Sequence, residues 1–268
     1  MKTIISRAPG DAYDTPENHP RAAVDRLLFG SRFYFYLCNF GVFIRTGICA
    51  KHGMLDAERQ VHYSNMNFDL VENCGGRIHL RGLENIDKLA GKPAVIIGNH
   101  MSLLETAVMH AILRPRLDFT FVIKESLLDV PFFGNIMRSL KAIPVTRSNP
   151  KDDFKQVLTL GKERLDGGCS VILFPQATRS AEFKPELFNS IGVKLARAAG
   201  VPVVPLALKT DFIQNGRWLR DMGPLRRDHA VWFEFGEPFE IAGNGKAEQE
   251  KIVEFIRSRL AGWRIGEK

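Results

Sequence analysis

Two polar side chains five positions apart, His100 and Glu105, are the first candidates for chemistry in this 268-residue chain. A histidine is the usual proton acceptor near neutral pH, and a nearby carboxylate can hold its ring in one tautomer and stabilise the imidazolium. A structural interpretation competes, because Ser102 and Glu105 form an S-x-x-E capping box that would only begin a helix. The pair alone leaves both interpretations open.

Cations and hydroxyl groups follow three other apolar runs of the chain. An arginine fork matches a phosphate in charge and geometry, although a lone arginine in a loop is more often simply solvated. Several such residues beyond neighbouring strands favour a site for an anionic substrate. The candidate substrate-binding residues are Lys124, Arg147, Thr178, Arg179 and Ser180.

Short apolar runs of strand type alternate with helical patterns along most of the chain. We predict strands at 78–83, 94–97, 119–123, 142–145, 170–174, 201–208 and 231–235, and helices at 54–72, 103–113, 154–165, 188–199 and 247–260. The alternation predicts an α/β fold with a single, mostly parallel central sheet flanked by helices. Because the carboxyl ends of parallel strands share one edge, His100, Arg147 and Arg179 are expected to converge there.

The segment from Leu27 to Ala50 is dense in Phe and Tyr and differs from the rest of the chain. Its longest uncharged run, from Phe33 to Ile44, has 12 residues, whereas a spanning helix needs about 20. Cations on both sides favour a segment that lies in the lipid headgroup region, although a buried core helix is the alternative. We predict a flexible arm over residues 1–26, a membrane-associating helical segment over 27–72 and an α/β domain over 73–268.

The overall charge is modestly basic, with 37 Lys and Arg against 30 Asp and Glu, a net charge of +7. This balance suits an anionic partner such as a phospholipid surface or a phosphorylated substrate. Nucleic acid is disfavoured because no dense basic stripe or base-stacking motif is present. Four scattered cysteines without a C-x-x-C pair predict no metal site and a reducing, cytoplasmic setting.

Four ordered segments resemble the motifs of the glycerolipid acyltransferase family, which includes the 1-acylglycerol-3-phosphate acyltransferases. The first two segments are similar to N-H-x4-D and to an apolar run that ends in arginine. The third and fourth are similar to F-P-E-G-T-R-S and to V-P-hydrophobic-V-P. In this chain they are Asn99–Glu105, Ala142–Arg147, Phe174–Ser180 and Val201–Pro205. Independent signals that agree in order and spacing favour membership more than any one of them.

The resemblance implies an O-acyltransferase that moves a fatty acyl group from a thioester to the hydroxyl of a lysophospholipid, most simply 1-acylglycerol-3-phosphate. His100 would be the base, Glu105 would orient it, and Arg147 and Arg179 would hold the phosphate. Backbone N–H groups near Gln176 and Ala177 would stabilise the oxyanion. Acyl-CoA or acyl carrier protein would donate the acyl group without any cofactor or metal, at the cytoplasmic face of a membrane bearing anionic lipid.

The chain departs from the family pattern at three positions that bear on the acceptor. Glu105 stands where the family has Asp, and Gln176-Ala177 stands where it has Glu-Gly. A different lysolipid acceptor and a degenerate, membrane-bound lipid-binding protein are therefore the alternatives. A serine hydrolase built on Ser102 is disfavoured, since the chain has no G-x-S-x-G elbow there.

Overall fold

The computed structural model describes residues 10–176, 178–216 and 222–265. Within these residues eight strands form one sheet, in the order β1-β2-β8-β7-β3-β6-β4-β5. The strands are β1 Tyr13–Asp14, β2 Ile78–Arg81, β3 Val95–Gly98, β4 Phe119–Lys124, β5 Ile143–Val145, β6 Ser170–Leu173, β7 Val203–Lys209 and β8 Val231–Phe235. The α/β architecture with a mostly parallel sheet is confirmed.

Five neighbouring strands, β7, β3, β6, β4 and β5, run parallel to one another. Strand β8 is antiparallel to β7, and β2 lies parallel to β8. Strand β2 is not at the edge of the sheet, because the two-residue β1 pairs with it. The carboxyl ends of the five parallel strands therefore share one edge, where residues 100, 124, 147 and 179 lie beyond or at strand ends.

Helices cover both faces of the sheet. They are α1 Ala23–Leu27, α2 Arg32–Lys51, α3 Ala57–Asn73, α4 Leu83–Asp87, α5 Leu104–Leu113, α6 Phe133–Ser139, α7 Pro150–Asp166, α8 Ile191–Ala199 and α9 Lys246–Ile265. One face packs against α2, α3 and α5, and the other against α7, α8 and α9. This double coverage explains why Val95, Ile96 and Ile97 of the central strand are fully buried and uniformly apolar.

Helix α8 shows how the sequence sets the helix bounds and the packing distance. It begins at Ile191, three residues later than predicted, because Pro185–Leu187 forms a separate 3₁₀ turn. It ends at Gly200, which adopts the left-handed conformation (φ 66°) usual for a glycine after a helix. A Cβ on Gly192 would lie 2.6 Å from the Ile97 side chain, so glycine allows α8 to approach β3.

Residues 10–26 pack against the domain and do not form a free arm. Tyr13–Asp14 extends the sheet, and Thr15 is buried with its hydroxyl 2.6 Å from Glu72 Oε1. Asp25 is fully buried and accepts bonds from the guanidinium groups of Arg21 and Arg227. Paired charges explain how a carboxylate is tolerated there. The three predicted regional boundaries stay a prediction.

Helix α2 has an apolar face toward the domain and another toward solvent. Phe35 and Val42 are buried, and Tyr36 donates a hydrogen bond of 2.8 Å to the Gly223 carbonyl. The exposed large apolar residues of the helix, at helical spacing, are Phe33, Leu37, Phe40 and Ile48. By length and composition α2 is long enough to cross a membrane, with a third of its apolar window buried against the domain.

Candidate active site

His100 lies in the loop between β3 and α5, at the carboxyl end of the central strand. Its side chain is 16% exposed, so it reaches the surface from a largely enclosed position. Its ring stacks on Phe174 with centroids 4.5 Å apart and an 8° interplanar angle. The preceding Asn99 is fully buried, and its side-chain amide bonds both the N–H (2.8 Å) and the carbonyl (2.7 Å) of Leu208. The histidine loop is thereby anchored to the neighbouring strand β7.

The fully buried Glu105 carboxylate serves as both helix cap and histidine partner, because its two oxygens have different contacts. Oε1 accepts the backbone N–H groups of Met101 (2.7 Å) and Ser102 (2.9 Å) at the start of α5. Oε2 contacts His100 Nδ1. A carboxylate at Nδ1 favours the tautomer with its proton on that nitrogen, which leaves Nε2 as the proton acceptor.

The loop after β6 is bonded directly to the histidine loop. Gln176 is buried, and its side-chain Oε1 accepts the His100 backbone N–H at 2.8 Å. The Ser180 N–H donates to the His100 carbonyl at 2.9 Å, and the Asn189 side chain holds the Pro175 carbonyl at 2.7 Å. Gln176 therefore fixes the position of His100. The hydrogen bond requires only an acceptor oxygen, which the side-chain amide of Gln176 provides.

Arg147 follows β5 and is held by the first turn of helix α7. The Asp153 carboxylate accepts the backbone N–H groups of Thr146 and Arg147, each at 2.7 Å. Arg147 has a left-handed backbone (φ 63°), a conformation that costs a non-glycine residue about 1–3 kcal/mol and that these bonds stabilise. Burial and the nearby Arg179 guanidinium lower the pKa of Arg147, against the opposing effect of Asp153. Two guanidinium groups therefore share one neighbourhood.

The other predicted residues divide into three groups. Lys124 ends β4 with an exposed side chain, and it pairs with Val145 of β5. Thr178 is exposed and Ser180 half-buried in the loop after β6. Ala177 lies outside the described residues. Since β6, β4 and β5 are neighbours, Arg179, Lys124 and Arg147 lie at or beyond the carboxyl ends of adjacent strands, all on the same side of the His100 strand β3.

The site contains contacts that sequence reasoning missed. Thr210 donates its hydroxyl to Glu105 Oε1 at 2.6 Å, and Asp153 holds the Arg147 loop. The signal for Thr210 was present, because Lys209-Thr210-Asp211 follows an apolar strand, as His100 and Arg179 do. Ser102, the alternative nucleophile, is buried, and its hydroxyl donates to Thr210 at 3.0 Å. This geometry removes the basis for a serine hydrolase.

Known sequences match this chain over the segment that contains the His100 and Arg179 loops. The family model described as Acyltransferase matches residues 77–209. A 1-acyl-sn-glycerol-3-phosphate acyltransferase of Pseudomonas aeruginosa is 41% identical over 134 residues, 50% of each chain. A chloroplastic enzyme of the same name from Arabidopsis thaliana is 31% identical over 132 residues, 49% of this chain and 36% of the relative. The matches thus span half or less of these relatives.

Comparison with solved structures gives a likeness that extends beyond the matched segment. The crystal structure of a 1-acyl-sn-glycerophosphate acyltransferase from Thermotoga maritima aligns with a TM-score of 0.62 at 20% identity. The alignment covers 89% of this chain and 96% of that one. At this identity the likeness shows a shared fold.

Proposed function

Residues 77–209 form a domain of the acyltransferase family, and on that premise we propose that this protein acylates the free hydroxyl of a lysophospholipid. The single observation that carries the proposal is the His100–Glu105 pair at the end of β3, oriented to leave one ring nitrogen as a base. The preferred acceptor is 1-acylglycerol-3-phosphate and the product phosphatidate. The curated relatives that are named for that reaction support this choice.

The proposed reaction needs one base and no covalent enzyme intermediate. His100 Nε2 takes the proton of the acceptor hydroxyl while the oxygen attacks the thioester carbonyl carbon, and the carbonyl electrons move onto its oxygen. The tetrahedral oxyanion then collapses, the carbon–sulfur bond breaks, and the departing thiolate receives the proton from the imidazolium. Glu105 stabilises that imidazolium, and Phe174 holds its plane.

The acceptor phosphate is proposed to bind at the strand-end cations, not at the base. The Arg179 guanidinium is close enough to lower the pKa of Arg147, so a phosphate between the two would relieve the repulsion. Lys124 extends the positive edge on the strand between them. Gln176 is bonded to the His100 backbone, so it acts in positioning and is not proposed to contact the headgroup.

The direct test is acyl transfer by purified protein from palmitoyl-CoA and from palmitoyl acyl carrier protein. Acceptors would be lysophosphatidate, lysophosphatidylcholine, lysophosphatidylethanolamine, lysophosphatidylglycerol and monoacylglycerol. We expect label in phosphatidate and its loss in His100→Ala. Transfer only to another lysolipid would support the proposed reaction and show that the acceptor is not lysophosphatidate. No transfer by folded protein with any pair would refute the proposal and favour the degenerate lipid-binding alternative.

Membrane association belongs to the same proposal, with α2 lying in the interface and not crossing the bilayer. The helix is packed along one side against the domain through Phe35 and Val42, which crossing would have to break. Its opposite side presents Phe33, Leu37 and Phe40, and the cations Arg32 and Arg45 lie within the same helix. An apolar stripe with flanking cations is typical of interfacial helices on anionic lipid.

We expect Leu37→Glu to weaken binding to vesicles of phosphatidylglycerol and phosphatidylcholine by about tenfold or more, measured by co-sedimentation. Leu37 is 74% exposed, and transfer of one such side chain into lipid contributes about 1.5–3 kcal/mol. The matched control is Leu187→Glu, since Leu187 is 60% exposed in the 3₁₀ turn before α8 and should leave vesicle binding unchanged. Equal losses in both variants, or none in Leu37→Glu, would contradict the interfacial role.

Two further parts of the proposal concern the acyl donor and the face of the membrane at which the reaction takes place. The acyl donor is proposed to be either acyl-CoA or acyl carrier protein, and four arginines that could meet an acidic carrier pair with carboxylates of this chain. These pairs are Arg114–Asp118, Arg116–Asp87, Arg226–Asp228 and Arg227–Asp25. The cytoplasmic face is proposed because all four cysteines are free, which suits a reducing compartment.

A further inference from the structure

The Glu105 carboxylate has a third donor from a distant part of the chain. Besides the N–H groups of Met101 and Ser102, its Oε1 accepts the hydroxyl of Thr210, 105 positions away in sequence, at 2.6 Å. The two backbone donors come with the start of α5 and hold the carboxylate to its own helix. Thr210 instead follows β7, so its bond ties the carboxylate to the sheet.

The hydrogen bonds around Thr210 have one possible direction. A carboxylate oxygen can only accept, so the single hydroxyl proton of Thr210 is donated to Glu105 Oε1 at 2.6 Å. Ser102 must therefore be the donor in its 3.0 Å bond to Thr210, and its Oγ also accepts the Leu104 backbone N–H at 3.2 Å. Hydrogen bonds in such a buried chain strengthen one another, and the last of them holds the Glu105 carboxylate.

The surroundings of Thr210 hold its hydroxyl in place. Thr210 is fully buried, so no solvent competes for its proton. The Leu208 backbone is held by two hydrogen bonds to the side chain of Asn99, the residue before His100. Lys209 is buried and paired with Asp211 at 2.9 Å, and Asp211 also contacts His229 at 2.8 Å. The end of β7 is therefore fixed on both sides of Thr210.

We propose that Thr210 is a positioning residue for catalysis, whose hydroxyl holds the Glu105 carboxylate in its orientation toward His100. With Oε1 occupied by three donors, only Oε2 is left for the histidine, and the ring is held in the tautomer that acts as a base. The hydroxyl is the required group, and the methyl group is not. The inference deepens the proposed acyl transfer and rests on it for the kinetic part of its test.

The test compares two substitutions at Thr210 with a matched one elsewhere. Thr210→Val keeps the size and removes the donor, whereas Thr210→Ser keeps the donor. Thr120→Val is the control, because Thr120 is also a fully buried strand threonine but its hydroxyl has no hydrogen-bond partner among the described residues. We expect Thr210→Val to lower kcat about 10- to 100-fold with little change in KM. Thr210→Ser and Thr120→Val should stay within about twofold of the wild type, as neither loses a hydrogen bond.

A readout independent of turnover separates this inference from the proposed function. Heteronuclear NMR of the His100 ring nitrogens should show the Nδ1–H tautomer in the wild type, Thr210→Ser and Thr120→Val, and a mixture of tautomers in Thr210→Val. If the wild type transfers no acyl group, the proposed function fails, and the tautomers still decide the role of Thr210. If Thr210→Val cannot be purified folded, Thr210→Cys, a weak donor, should fall between the wild type and the loss expected for valine.

Three results would overturn the role of Thr210. They are an unchanged tautomer and kcat in Thr210→Val, an equal loss in Thr210→Ser, and an equal loss in Thr120→Val. The first would mean that the two backbone donors suffice for Glu105. The second would mean that packing of the methyl group matters and the hydroxyl does not. The third would mean that any buried threonine on the sheet gives the same effect.

Discussion

His100→Ala is expected to lower acyl transfer by about 10²- to 10⁴-fold, the usual contribution of a positioned general base. The alcohol acceptor is a poor nucleophile until its proton is removed, and the Glu105 pair leaves Nε2 of His100 in the form that can remove it. The measurement is initial rate against acceptor concentration with a labelled thioester. The loss should lie in kcat, since the acceptor is held mainly by the cations.

The fold should survive this substitution, because the anchors of the loop do not involve the imidazole. Asn99 bonds Leu208, and the backbone of residue 100 bonds Gln176 and Ser180 through its own N–H and carbonyl. The matched control is His62→Ala, at an exposed position on α3, which should keep wild-type activity. Activity above a tenth of wild type in a well-folded His100→Ala protein would show that another group is the base.

The parallel part of the fold could be predicted because its local signals agree with its tertiary structure. Val95–Ile97 and Val203–Leu208 are apolar without alternation, which requires burial on both faces of a parallel sheet. Given that topology, the convergence of His100, Arg147 and Arg179 follows from chain direction alone. Strand β1 could not be predicted, since two residues carry no periodicity and pair only because the Ile78–Arg81 edge is available.

The assignment of individual contacts in the site depended on side-chain direction, which spacing does not reveal. The His-x4-Glu spacing does not decide whether Glu105 caps the helix or pairs with His100. In the structure it does both, because Oε1 accepts backbone N–H groups while Oε2 contacts the imidazole. The oxyanion role of the Gln176 backbone N–H stays a prediction, whereas the contact of the Gln176 side chain with the His100 backbone could not be predicted from spacing. Thr210 reaches Glu105 across two neighbouring strands, a contact visible only once β7 is known to lie beside β3.

Helix α2 illustrates a different limit of sequence reasoning. The uncharged run of 12 residues suggested a segment too short to span, yet the helix extends over 20 residues. A charge such as Arg45 ends an apolar run without ending a helix, because long cationic side chains are compatible with helical geometry. The segment's partition into a buried face and an exposed apolar face depends on which residues contact α3 and α6, so it follows from the tertiary fold.

The second large effect is expected on acceptor affinity, with Arg179→Ala raising the KM for lysophosphatidate about 10- to 100-fold. Loss of a charge-assisted hydrogen bond costs about 1.5–3 kcal/mol, and the phosphate is present in both ground state and transition state. The effect should therefore appear in KM, leaving kcat within a few-fold. Arg147→Ala should act in the same direction, since Asp153 holds that arginine in the same neighbourhood.

Comparison of acceptors separates phosphate binding from a general loss of structure. Monoacylglycerol lacks the phosphate, so its slow acylation should be unchanged in Arg179→Ala if the arginine recognises only that group. Arg257→Ala is the matched control, at an exposed arginine of α9 that pairs with Glu254 and should leave both acceptors unaffected. An unchanged KM for lysophosphatidate, or an equal loss with monoacylglycerol, would place the phosphate elsewhere. Lys124, on the strand between the two arginines, would then be the next residue to replace.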